Sequence, residues 1–261
     1  MQKYVAIYRV QVLNSLAYPM NFFGRGLMIV LFLWIFFQLW STVYISSGQS
    51  IISGLTLRDT LWYLCMTEVL ELGRPRLAQQ VAAAVKDGSI AYLLNKPYDF
   101  LLYQLSMGLG EGTLRLGMNV VLGGAVTWAM VGAPPDVRSW PGTLVVFCGA
   151  WLLHFWVNAL IGLAAFVFEE VTPFEWIYQK MVFVLGGMLI PLNFYPAWLQ
   201  KLAHMLPFSS MMYAPAHLFV QYSGRELVRT LGMQAVWLLL LGGAATAAYR
   251  AGLQRLAING G

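Results

Sequence analysis

The residues of this chain that could do chemistry are few, and most sit inside apolar runs. Glu68 and Glu71 lie three apart, a spacing that puts both carboxylates on one face of a helix. His154 and Asn158, four apart, share a face of another apolar run. Glu111 precedes Arg115 by four residues, the favourable order for a helical ion pair. Burying an ionisable group in hydrocarbon costs about 3 kcal/mol or more unless it is paired or wet. Two readings stay open for these groups: a substrate path or gating network, or interhelical pairing that fixes bundle geometry. Catalytic patterns are missing. There is no HExxH, GxSxG or phosphate-binding lysine loop, and His154, His204 and His217 are far apart in sequence. No catalytic residue, cofactor-binding residue or metal ligand is expected in this chain. Cys65 and Cys148 lie in apolar runs and read as packed thiols.

The elements that position these groups follow from composition. Of 261 residues 59% are hydrophobic and only 10% charged, too few charges to solvate a surface of this size, so lipid must cover much of it. The net charge of +5 is spread over isolated Lys and Arg residues with no stripe to follow a phosphate backbone, which argues against nucleic acid. Crossing the hydrocarbon takes roughly 20 helical residues. Six apolar runs approach that length, at 26–45, 55–72, 116–131, 144–168, 174–192 and 227–248. The fold class expected is therefore all-α, a polytopic membrane protein of six transmembrane helices in a single domain, 1–261. The first run begins late and is too long for a signal core, so it is expected to stay as a membrane helix.

Three further segments complete the picture. Residues 1–18 are helix-compatible, with Val5, Val12, Leu13 and Leu16 on one side, and read as an interfacial helix. Residues 73–99 form the longest polar connection. Residues 193–225 contain Pro196, Pro207 and Pro215, which chop the chain into pieces too short to span, and so predict short helices at or dipping into the outer interface. Placing both termini and 73–99 in the cytoplasm puts nine Lys and Arg on that side, from Lys3 to Arg255, against five on the other. Glu169, Glu170 and Glu175 would then form an acidic cluster at a cytoplasmic turn.

Three stretches carry a family resemblance: VKDGSIAYLLNKPYDFLLYQL at 85–105, GGMLIPLNFYPAWLQKLAHMLPFSSMMYAPAHLF at 186–219, and the tail YRAGLQRLAINGG at 249–261. In that order they resemble the permease subunits of type-2 ABC exporters, in the branch encoded as single six-helix chains. The tail departs from the pattern, with Ala251, Gln254 and Leu256 where relatives carry more arginine and an aromatic residue.

The resemblance implies a bacterial inner-membrane protein that moves a lipid-like, glycan, drug-like or peptide substrate outward by alternating access. ATP and Mg would belong to a separate ABC ATPase, present in two copies. A second permease, identical or related, would complete the machine, with membrane lipids around it. It also implies a coupling element in 73–99, for which Arg76, Lys86, Asp87 and Gly88 are the candidates. Glu68, Glu71, His154, Asn158, Pro191 and Phe194 are the candidates for a pathway or gate. The other readings are a membrane scaffold without a transport path and an ion-coupled carrier working alone.

Overall fold

The computed structural model describes residues 2–17, 19–135, 140–168 and 170–259. It is 82% helical, so the all-α expectation holds, and among the described residues one two-stranded hairpin (β1, Ile51–Ile52; β2, Leu55–Thr56) is the exception. In chain order the helices are α1 (Gln2–Ala17), α2 (Pro19–Ser47), α3 (Leu57–Leu72), α4 (Leu77–Lys86), α5 (Ile90–Leu94), α6 (Phe100–Val131), α7 (Trp140–Ala164), α8 (Thr172–Leu185), α9 (Ala197–Met205), α10 (Pro207–Met211), α11 (Tyr213–Val220) and α12 (Gly224–Asn259).

Among the described residues, four helices are long and apolar enough to cross a bilayer: Gly26–Ser47, Phe100–Val131, Trp140–Ala164 and Gly224–Gln254. The second and fifth expected spans appear as the shorter α3 and α8. With 16 and 14 residues, these are about 24 and 21 Å long at 1.5 Å per residue.

The span expected at 174–192 stops at Leu185, because Gly187 adopts φ +69° and turns the chain out of the helix before Pro191. The span expected at 116–131 instead begins at Phe100. The Asp99 carboxylate caps it by accepting from Leu102 N at 2.9 Å, and the Glu111–Arg115 ion pair lets the helix run through both charges.

One end of the bundle carries the hairpin, and the other carries α4 and α5. At the hairpin end Arg58 donates to the carbonyls of Ala133 (2.7 Å) and Pro134 (3.0 Å), and Gln221 donates to Gly54 O at 2.7 Å. At the opposite end Lys3 of α1 donates to Pro97 O at 2.9 Å, while Tyr249 of α12 stacks on Phe100 at 5.4 Å. Helix α1 packs on the first half of α6 and buries none of its residues. That approach depends on Gly110, where a Cβ would lie 2.8 Å from Gln11 Cβ and 2.9 Å from Tyr8 O.

The proline-broken segment divides in two. In α9, Trp198, Leu202 and Met205 are exposed. In α10 and α11, Ser209 to Met212 and Ala216 to Val220 are buried among α3, α7 and α12. Gln234 of α12 ties this inner part down, donating to Ser210 O (3.0 Å) and to Val146 O of α7 (2.9 Å). Short helices dipping into the bundle leave backbone groups unpaired, and a buried side-chain amide is one way to satisfy them.

Candidate functional site

Helix α3 begins with a reciprocal cap, Thr56 Oγ1 accepting from Asp59 N and Asp59 Oδ2 accepting from Thr56 N, each at 3.1 Å. From there to Glu71 almost every side chain is buried, which carries Glu68 (1% exposed) and Glu71 into the bundle on one face. Helix α8 starts with Pro173 in its first turn, and Thr172 N donates to the Glu170 carboxylate at 3.0 Å. The hydrogen bond from the Thr172 hydroxyl, and after it this backbone bond, hold the Glu170 carboxyl below the usual carboxylate range. Where α8 ends, Tyr63 donates to Gly187 O at 2.6 Å and Thr67 to Met188 O at 3.2 Å. Both donors lie midway along α3, so α8 stops part-way through the bundle and hydroxyls of α3 satisfy the broken backbone.

Between α2, α3, α4, α7 and α8 lies a cavity of about 640 Å³. Its polar wall includes Glu68, Glu71, Arg74, Arg76, Gln79, Asn158 and Glu175, and its apolar wall includes Phe32, Tyr178, Phe183 and Met188. Glu71 pairs with Arg74 at 3.1 Å, and the Arg74 guanidinium lies 5.8 Å from the centre of the Tyr178 ring. Gln79 of α4 donates to Glu175 of α8 at 3.1 Å. Asn158 donates to His154 O at 2.9 Å. His154 stands behind this wall, fully buried, with Nδ1 hydrogen-bonded to the Tyr178 hydroxyl and Nε2 unpartnered.

The structure therefore brings together Glu68, Glu71, Asn158 and Arg76, with His154 joined to them through Tyr178. It does not bring Pro191 and Phe194 there. Phe194 packs on Trp40 at 4.9 Å between ring centres, towards the hairpin end, and Pro191 is buried beside it. Glu111 and Arg115 pair with each other on α6, outside the cavity lining. Lys86, Asp87 and Gly88 form the exposed far end of α4. Gly88 at φ +77° makes the turn, and hydrogen bonds from Ser89 hold the Asp87 carboxyl below its ordinary value. Glu169 lies outside the described residues.

Helix α4 is amphipathic. Leu77, Ala78, Val81 and Ala84 are buried, largely against α7, while Arg76, Gln79, Gln80, Ala83 and Lys86 are exposed. Close approach to α7 rests on Gly162, where a Cβ would lie 3.2 Å from Ala78 Cα and from Val81 Cβ. The sequence does not mark Arg74, Tyr178 or Gln79 as site residues. Arg74 was within reach as the i+3 partner of Glu71, whereas the Tyr178–His154 bond joins different helices and leaves no local signal.

The family model described as ABC-2 family transporter protein matches residues 28–260. No curated protein matches the chain.

Proposed function

This chain belongs to the ABC-2 transporter family, and from that premise we propose that it is the permease of an ATP-driven exporter whose substrate path includes the cavity beside α3 and α8. Permeases of this family are the membrane component and work with an ABC ATPase. In this reading two ATPase copies bind ATP and Mg at the α4 end, and two permease chains, identical or related, stand side by side. That end faces the cytoplasm of a bacterial inner membrane, with both termini on it. Lipids cover the remaining apolar faces.

One observation carries the reading: α4 presents an exposed face and also forms part of the cavity wall. Gln80, Ala83 and the Lys86–Asp87–Gly88 end are exposed, within reach of a soluble partner, while Arg76 and Gln79 near its start line the cavity. Gln79 also grips α8 through Glu175. A push on α4 by a closing ATPase would therefore reach α8 and the Glu68–Glu71 face without a long relay. Such gating by a rigid helix on two spans needs differential contact in two states, which ATP binding at the partner supplies.

Co-purification with the ABC ATPase encoded beside the gene, followed by measurement of ATP hydrolysis, tests the proposal. The expected result is a stable complex whose hydrolysis rate depends on the permease and falls on substitution of Lys86 and Asp87. A chain that forms no complex, or transports in ATP-free liposomes, would overturn it.

A further inference from the structure

The charged groups around the cavity are unevenly satisfied. Arg74 is committed to Glu71, and Glu175 accepts from Gln79. Arg76 sits exposed at the start of α4. Glu68 is different: it is 1% exposed, and it makes no hydrogen bond or ion pair to another described residue. Glu71 Oε2 is likewise buried and unpartnered. A carboxyl held this way in a membrane bundle is costly to ionise, and it keeps its proton until something positive arrives to meet it.

The remaining lining says what that something looks like. Phe32, Tyr178 and Phe183 stand in the same wall, and Tyr178 already presents a ring face to a guanidinium. Aromatic faces attract cations, most strongly where water is excluded. At about 640 Å³ the cavity has the size of a small-molecule site. An anion would meet the buried carboxylates of Glu68 and Glu71, with Arg74 already engaged by Glu71 and Arg76 set on the exposed face of α4, and a neutral apolar molecule would leave Glu68 unmet.

We infer that this cavity takes a hydrophobic organic cation, a quaternary ammonium or an arylamine in class, with Glu68 as its counter-ion and Phe32, Tyr178 and Phe183 as its apolar walls. The inference names the substrate class of the path assigned above and so rests on the permease reading.

The test uses the full chain in lipid nanodiscs without ATPase. Equilibrium dialysis would compare tetraphenylphosphonium with tetraphenylborate, nearly equal in size and opposite in charge, against empty nanodiscs. The expected result is saturable tetraphenylphosphonium binding that tetraphenylborate does not displace. E68Q should weaken it by about tenfold or more, and E68D by much less. F183A, which leaves every charge in place, should weaken it by about threefold. Thermal unfolding of each variant separates loss of binding from loss of fold, and F183A serves if E68Q fails to fold.

Binding unchanged in E68Q or in F183A, or equal displacement by tetraphenylborate, would overturn the assignment. A chain that pairs with its ATPase yet binds no tetraphenylphosphonium would overturn the cation class and leave the permease reading standing. A chain that binds the cation but forms no ATPase complex would instead overturn the permease reading on which the assignment rests.

Discussion

At the scale of single residues the bundle interior is held by pairs whose members depend on each other. Removing Arg74 leaves Glu71 buried without its counter-charge, while removing both charges leaves neither stranded. R74A is therefore expected to lower the thermal unfolding temperature more than R74A/E71Q, with a difference on the order of 1–3 kcal/mol, since Arg74 is partly exposed and partly screened. A double-mutant cycle followed by thermal unfolding in detergent checks this. Y178F removes the hydroxyl that holds His154 Nδ1 and should destabilise the fold by about 1–2 kcal/mol without changing ATPase docking.

Half of this network could be read from sequence. The i+3 and i+4 spacings identified Glu68, Glu71, His154 and Asn158, because residues at those spacings share a helix face wherever the helix goes. Tyr178 and Gln234 could not be found that way. Their partners, His154 on α7 and the backbone of Val146 and Ser210, lie on other elements, and only packing decides which faces meet.

Among the elements, α4 is the one whose placement matters most. G162L should push α4 from α7, because even a Cβ at that position comes within 3.2 Å of the Ala78 backbone. The variant is expected to insert in the membrane normally but to recover severalfold less ATPase in co-purification. G117L, on α6 with open space where its Cβ would stand, is the neutral comparison.

The segment 73–99 carries α4 and α5 between α3 and α6. In the sequence it reads as a polar connection because α4 is only 10 residues long, with Arg76 at its start and Lys86 at its end. Helix α8 ends short of its apolar run for a different reason. Hydropathy runs on smoothly from Phe174 through Leu192, and what ends the helix is the backbone turn at Gly187, which an average over side chains does not register.

For the whole molecule, the family, the all-helical architecture and the multi-pass membrane character agree with the composition and the quoted stretches. The long helices show as apolar runs because lipid demands it. The short ones did not, because α10 and α11 are buried by neighbours and need no lipid-facing length. Orientation is open to a direct measurement. In a chain freed of Cys65 and Cys148, S89C beside α4 should react with a membrane-impermeant maleimide only after the cells are opened. S50C before the hairpin, by contrast, should react from outside in intact cells. The reverse pattern would turn the proposed topology over.

The early stop of α8 has one more consequence. A helix carries roughly half an elementary charge of negative sign at its C-terminus, because its peptide dipoles add. A full-length span delivers that pole to the headgroups, where water screens it. Helix α8 leaves it at depth, next to Met188 and Leu189 of the cavity wall. The backbone thus contributes a standing electric field there that no side-chain substitution removes. E68Q chains should accordingly keep a weak preference for tetraphenylphosphonium over tetraphenylborate, the residue of selectivity that belongs to the fold and not to any one carboxylate.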